Sequence, residues 1–282
     1  MRNAWWGLAA GLVLSVAWAG GGAAFDANVE ASMQVSGSLD VDDTGRVTTY
    51  AVDHRDKLPA GVVQLVDQVL PTLRFQPVVH AGQAQAVHTQ MHLVVVANAV
   101  DPQHVAVHIR SARFDEANLP SDQQISVATR KSMHYPVDAM MAGVRGTVYL
   151  VVQMDRSGHV LDVKARQVNL RYVDDARGMR HWRDVLAKPA IAAARRYTFH
   201  VPPGVVPEGD GTITGTLPVT YLMDGQGLPA YGSWDSYVPG PIEPVAWLDD
   251  KVDDADNNEA IPDGTFAQAG TGLKLLTSLH GE

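Results

Sequence analysis

The sequence predicts an α+β protein made of two tandem ββαβ units, each a small antiparallel sheet with a helix packed on one face. Three observations lead there. Strand-like alternation flanks a tight turn twice, around Asp42 and Gly45 and again around Asp155 and Gly158. A stretch of helical periodicity follows each turn, and a further strand pattern closes each unit. The turn itself repeats, since Asp42-x-x-Gly45-x-Val47 matches Asp155-x-x-Gly158-x-Val160. Two units of about 90 residues agree with what the length allows.

The chain has 282 residues, 46% of them hydrophobic, a globular fraction that excludes wholesale disorder. Its formal net charge of -9 argues against a nucleic-acid binder that works by neutralising phosphates. There is no cysteine. That excludes a disulfide scaffold, a thiol nucleophile, a cysteine-based zinc site and a lipid anchor on cysteine.

Arg2 is followed by an uncharged run containing Leu8, Leu12, Val13, Leu14 and Val16. Ala17-x-Ala19 and Gly22-Ala23-Ala24 both suit signal peptidase, which needs small side chains just before the cut. The dense apolar core is shorter than the ~20 residues of a spanning helix. Residues 1–24 are therefore expected to be a cleaved signal peptide, and the body to be exported. Because the uncharged stretch runs on to Phe25, a retained anchor is the competing expectation.

The first unit is expected over residues 33–115. Residues 38–42 alternate as a strand, Gly45 allows the turn, and residues 46–52 resume as a strand. Val62, Leu65, Val66, Val69 and Leu70 then line one helix face, which Pro71 ends or turns into a short second piece. Residues 90–97 and 105–114 read as two strands joined through Asp101 and Pro102.

The second unit is expected over residues 133–224. Residues 146–154 form a strand, and a second starts with Val160, Leu161 and Val163. Trp182, Val185 and Leu186 lie in a helical stretch, and residues 190–197 in another, with Pro189 breaking the two apart unless it sits at the first turn of the second. Residues 212–223 supply the closing strand. Gly37 parallels Gly146, and Phe75-x-Pro77 parallels the region from Phe199 to Pro202. From residue 225 to 282, Pro229, Pro239, Pro241 and Pro244 precede an acidic run of Asp249, Asp250, Asp253, Asp254 and Asp256. This composition predicts an extended, largely disordered tail, with one short helical turn near Leu273 to Leu279.

Tyr135-Pro136, Ala139, the glycine-rich approach to Gly146, the Asp155-x-x-Gly158-x-Val160 hairpin and the aromatic-proline corner at Phe199 and Pro202 together resemble the C-terminal domain of TonB-type energy transducers. The resemblance covers residues 133–223, with a fainter copy in the first unit. These residues serve folding: Tyr-Pro favours extended backbone, glycine allows the turn, and proline stops the helix from continuing. The resemblance implies a periplasmic protein of the Gram-negative envelope. Its partner would be a short extended segment of an outer-membrane transporter or another envelope protein, paired to a sheet edge. The edge assigned to this role is the closing strand, at Leu217, Val219, Tyr221 and Met223. A membrane-anchored energy transducer is the alternative function. The apolar N-terminal run, however, has Ser15 and no histidine, and no long proline-rich spacer follows it.

A second alternative is a periplasmic metal-binding protein. His88 and His92 share one face of a strand, and His104 and His108 one face of the next. Leu93, Val95, Ala97, Val105, Val107 and Ile109 take the opposite parity, assigned to the core. No partner carboxylate or close triplet supports a metal site there. Asp42, Asp43 and Asp155 belong to hairpin turns rather than calcium loops. No nucleophile elbow, phosphate loop or dinucleotide fingerprint is present. The expected function is therefore non-enzymatic protein binding without a cofactor and without nucleic acid. Open sheet edges also permit a homodimer.

Overall fold

A computed structural model of the chain describes residues 12–15, 29–101, 104–115, 123–205, 207, 211–248 and 255–279. It is mixed α+β, with antiparallel sheets and few helices. Two units divide it. One comprises Met1–Asn118, Tyr231–Asp235 and Gly272–Glu282, and the other Leu119–Ala230 and Ser236–Thr271. No helix among the described residues is long and apolar enough to cross a membrane. The two candidate cleavage sites of the N-terminus lie outside the described residues.

The first unit contains strands β1 (Leu12–Ser15), β2 (Glu30–Val41) and β3 (Val47–Val52), then helix α1 (Ala60–Val69). A minor hairpin follows, β4 (Val78–His80) with β5 (Gln83–Gln85), and then β6 (Val87–Asp101) and β7 (His104–Phe114). In the main sheet the order is β3–β2–β6–β7–β1. Asp42 builds the β2–β3 turn with its own carboxylate, which accepts the amides of Thr44 at 2.9 Å and Arg46 at 3.0 Å. Gly45 sits at φ 83°, where a side chain is strained. The predicted apolar stripe of α1 is buried: Val62, Leu65, Val66 and Val69 pack with Met33, Val35 and Leu39 of β2. Pro71 lies in a single 3-10 turn, Leu70–Thr72, so the short second piece forms. The strand β2 begins at Glu30, well before the expected residue 38, because its backbone pairs along β6 from Ala31↔Ala97 to Val41↔Val87.

The second unit contains β8 (Ser126–Thr129), α2 (Val137–Ala142), β9 (Gly146–Met154), β10 (Val160–Leu170) and α3 (Ala176–Ala194). These are followed by β11 (Thr198–His200) and β12 (Ile213–Tyr221). The short strand β13 (Asp235–Tyr237) lies at the boundary between the units, and β14 (Ala267–Gln268) belongs to the second. The sheet order is β10–β9–β12–β14. Asp155 repeats the part of Asp42, accepting the amides of Ser157 at 2.8 Å and His159 at 3.0 Å.

Proline 189 does not split the helix, as the sequence suggests it should. The helix α3 runs through it. Proline removes one amide from the helix ladder, and here a tyrosine reinforces the break. The Tyr221 hydroxyl donates to the Leu186 carbonyl at 2.8 Å and accepts from the Ala190 amide. The N-terminus of the helix is capped by Asp175, whose carboxylate accepts the amides of Arg177 and Gly178.

The expected disordered tail is instead a set of packed straps over its described residues. Val245 and Leu248 bury against Val151, on the sheet face opposite α3. Phe266 packs at a tilt against Phe199 with ring centroids 5.1 Å apart, and Ala260, Ile261 and Ala267 are buried too. Tyr231 is anchored in the first unit, its hydroxyl donating to the Asp53 carbonyl at 2.7 Å. The predicted helical turn at residues 273–279 is extended: Leu275 bridges to Phe75, and the Leu276 amide donates to the Arg74 carbonyl at 2.7 Å. Composition suggested disorder because prolines and glycines interrupt the apolar residues. Those residues find partners only once both sheets exist. Asp249, Asp250, Asp253 and Asp254 lie outside the described residues.

Candidate partner-binding edge

The closing strand β12 is fixed on its inner side by pairing with β9, from Ile213↔Met154 to Tyr221↔Gly146. In an antiparallel strand the backbone groups of alternate residues point to opposite neighbours. The carbonyls of Thr214 and Pro218 face outward, since they accept the amides of Ala269 and Gly264, both at 2.9 Å. Even-numbered residues therefore offer the outer edge, and Thr220 is the next in that series.

The outer edge already carries an antiparallel segment along part of its length. β14 pairs with it as Gly215↔Gln268 and Thr216↔Ala267. Thr216 adds a side-chain bond, its hydroxyl donating to Asn258 Oδ1 at 3.1 Å. The bonds from this strap end at Pro218, which has no amide hydrogen. The stretch from Thr220 to Met223 lies beyond them.

Helix α2 flanks that end. Tyr135 lies against Tyr221, ring centroids 5.2 Å apart, and its hydroxyl donates to the Val144 carbonyl at 2.6 Å. Burial raises the Tyr135 phenol above its ordinary value. The helix ends at Gly143, φ 74°, and a side chain there would meet the Met223 methyl at 3.9 Å. Only Ala139 of α2 is buried, while Val137, Met140 and Met141 stand in solvent, Met141 at 82% exposure. A thioether is flexible and polarisable, so a cluster of methionines adapts to varied apolar side chains. Next to it, the Arg145 guanidinium donates to Gln226 Oε1 at 2.9 Å.

Of the residues assigned to the edge, the structure places Leu217 and Tyr221 in the core, each 1% exposed. Val219 is half-buried against the same core, and Met223 lies near α2. Leu217, Val219 and Tyr221 have odd parity, so their side chains secure the strand and their backbone pairs with β9. The outward groups sit between them. Helix α2 carries no apolar period, because one residue alone faces the core, and nothing in the pattern of residues 137–142 marks it as a helix.

Of the residues singled out as folding devices, Pro136 immediately precedes α2, and Gly146 pairs with both Leu170 and Tyr221. A side chain on Gly146 would collide with the Asn169 carbonyl oxygen. Val160 is half-buried in the core with Phe199, and Pro202 accepts the Val205 amide at 3.1 Å.

The histidines do not converge. His88 Nδ1 lies 2.7 Å from Asp40 Oδ1, and His92 Nε2 lies 3.4 Å from Asp115 Oδ2. On β7, His108 stands opposite Val96, and the backbone of His104 pairs with Asp101. Their face of the sheet is not uniformly polar either: Val94 and Val96 on it are buried. No group of three or more histidine, aspartate or glutamate side chains suited to a metal ion occurs among the described residues.

Compared with protein-family models, curated proteins and solved structures, the chain matches none.

Proposed function

We propose that this chain is an exported, non-enzymatic protein-binding module of the Gram-negative envelope, similar to the C-terminal domain of TonB-type transducers. In this reading the two units are copies of one ββαβ plan. In each, a hairpin is followed by a helix, and a later strand returns to pair with the first strand of the hairpin. The corner supports the comparison: the Phe75 amide donates to the Gly45 carbonyl at 2.8 Å, and the Phe199 amide to the Gly158 carbonyl at 2.9 Å.

The partner is an extended segment of an envelope protein, such as the periplasmic end of an outer-membrane transporter. It adds to the outer edge at the end of β12, from Thr220 on into the segment that follows as far as Met223, with its side chains over Met140 and Met141. Main-chain bonds give this mode much of its affinity and the flanking apolar surface its selectivity. The observation that carries the reading is the pairing of β14 on the same edge. That edge accepts an antiparallel segment, and the accepted segment stops short of the methionine cluster.

The test is a photo-crosslinking residue placed at Met141 in cells, with Thr48, an exposed residue of β3, as control. The expected result is a light-dependent adduct at position 141 alone, mapping to an extended periplasmic segment of an envelope protein. No adduct at 141, or the same adducts at both positions, overturns the reading.

A further inference from the structure

The outer edge of the first unit's sheet has an occupant of unusual origin. β1 pairs with β7 as Leu12↔Val107, Val13↔Ala106, Leu14↔Val105 and Ser15↔His104. It is drawn from the run of residues expected to be removed on export. Its loss would leave residues 104–107 of β7 without the strand they pair with on that side. An open edge is a template for another strand, and β7 has neither proline, glycine nor lysine between His104 and Phe114 to blunt it.

The edge is also complementary to itself. Turn a second β7 antiparallel to the first about a two-fold axis at Ala106. Val105 then faces Val107, and position 104 faces position 108. Val105, Ala106, Val107 and His108 of the copy take the places of Leu12, Val13, Leu14 and Ser15. Three apolar residues followed by a polar one replace three apolar residues followed by a polar one. Arg110 and Arg113 fall outside the paired stretch, so no arginine faces another, and His104 faces His108. Val105 is half-buried at the margin of the core and Val107 is buried in it, so baring the edge uncovers an apolar flank.

We infer that β7 is the interface of a symmetric homodimer of the exported protein, and that β1 covers this interface until the leader is removed. An antiparallel pairing of identical strands is isologous and closes on itself, so it gives a dimer and no fibre. The inference rests on the cleaved-leader part of the proposed function and is independent of the β12 edge.

The experiment uses the complete gene product in two forms, the exported protein and full-length protein recovered before export. Intact mass assigns each. Light scattering is expected to show the exported form at double the molar mass of its chain and the full-length form as a monomer. Ala106→Cys is the positional test, because the chain otherwise has no cysteine. Directly opposed residues lie about 4.5–5.5 Å apart at Cα, within disulfide reach. The exported variant should therefore form a covalent dimer, while Thr48→Cys should not. A monomeric exported protein overturns the inference, as does crosslinking at 106 no stronger than at 48. If intact mass shows the leader retained, the cleavage reading fails by itself. The edge is then tested in that form with Val13→Pro and Leu14→Pro together. One of two adjacent amides in β1 must point at β7, so this pair detaches the strand. A dimer from that variant upholds the interface, and a monomer overturns it.

Discussion

The amide of Phe199 donates to the carbonyl of Gly158 at 2.9 Å, joining β11, just after α3, back to the turn between β9 and β10. A side chain on Gly158 would collide with the Phe199 carbonyl oxygen. The glycine therefore answers two demands, a φ of 79° and the close approach of another backbone. Asn tolerates the first and fails the second. Gly158→Asn is expected to destabilise the second unit nearly as much as Gly158→Ala, each on the order of 1–3 kcal/mol or more. Chemical denaturation measures it, and a Gly158→Asn midpoint equal to wild type would show that the close approach is absent.

Asp155 gives the same turn a pH dependence. The amide of His159, joined by that of Ser157, holds its carboxyl below the ordinary value of 3.8 in spite of an opposing effect of burial. A group with a depressed folded value stabilises the fold fully above its unfolded value, and the gain is lost as pH falls through the folded value. Stability should therefore fall as pH drops below 3.8. Asp155→Asn should flatten that part of the curve. Denaturation midpoints across the acid range give the comparison, and parallel curves for variant and wild type would rule the turn out as a source.

Tyr221 should behave as a buried helix splint. Burial, then Tyr135 and Tyr197, push its phenol well above its ordinary value. Tyr221 should therefore be silent in an ultraviolet titration of the folded protein, with wild type and Tyr221→Phe titrating alike until unfolding. Tyr221→Phe leaves the Leu186 carbonyl without the hydroxyl and is expected to cost about 1–3 kcal/mol. A variant as stable as wild type would mean that the helix closes its own gap at Pro189.

Phe266 tests the strap. It is buried against Phe199 and the second core. Phe266→Ala should cost about 3–5 kcal/mol, and it should open the chain to proteases between residues 255 and 271. Rapid trimming of the wild-type chain there would contradict a packed strap.

Much of the fold is legible where local chemistry decides it. Asp42, Gly45, Asp155 and Gly158 mark their turns because a carboxylate caps the bend and glycine alone accepts the backbone. The stripe from Val62 to Leu70 marks α1 because one face must find a core. Legibility fails where a partner is distant in sequence. Pro189 reads as a helix break, since nothing nearby shows that Tyr221 will reach Leu186. Phe266 and Leu275 read as parts of a polar tail, since their partners Phe199 and Phe75 lie far back in the chain. The edge of β12 is legible as a strand, but its outward parity follows from its register with β9, and the methionines of α2 carry no period that would place them beside it.

By itself, then, the sequence determined the mixed architecture, both hairpin turns, the helix of the first unit and the position of the closing strand. Periodicity and turn residues act over a few neighbours, so they are written locally. Tertiary structure alone decided that the described residues after Ala230 pack as straps, that α3 survives its proline, and that the outer edge of β12 is covered, among the described residues, as far as Pro218. Each of these depends on apolar burial or a hydrogen bond between residues far apart in the chain, whose free energy exists only after the sheets have formed.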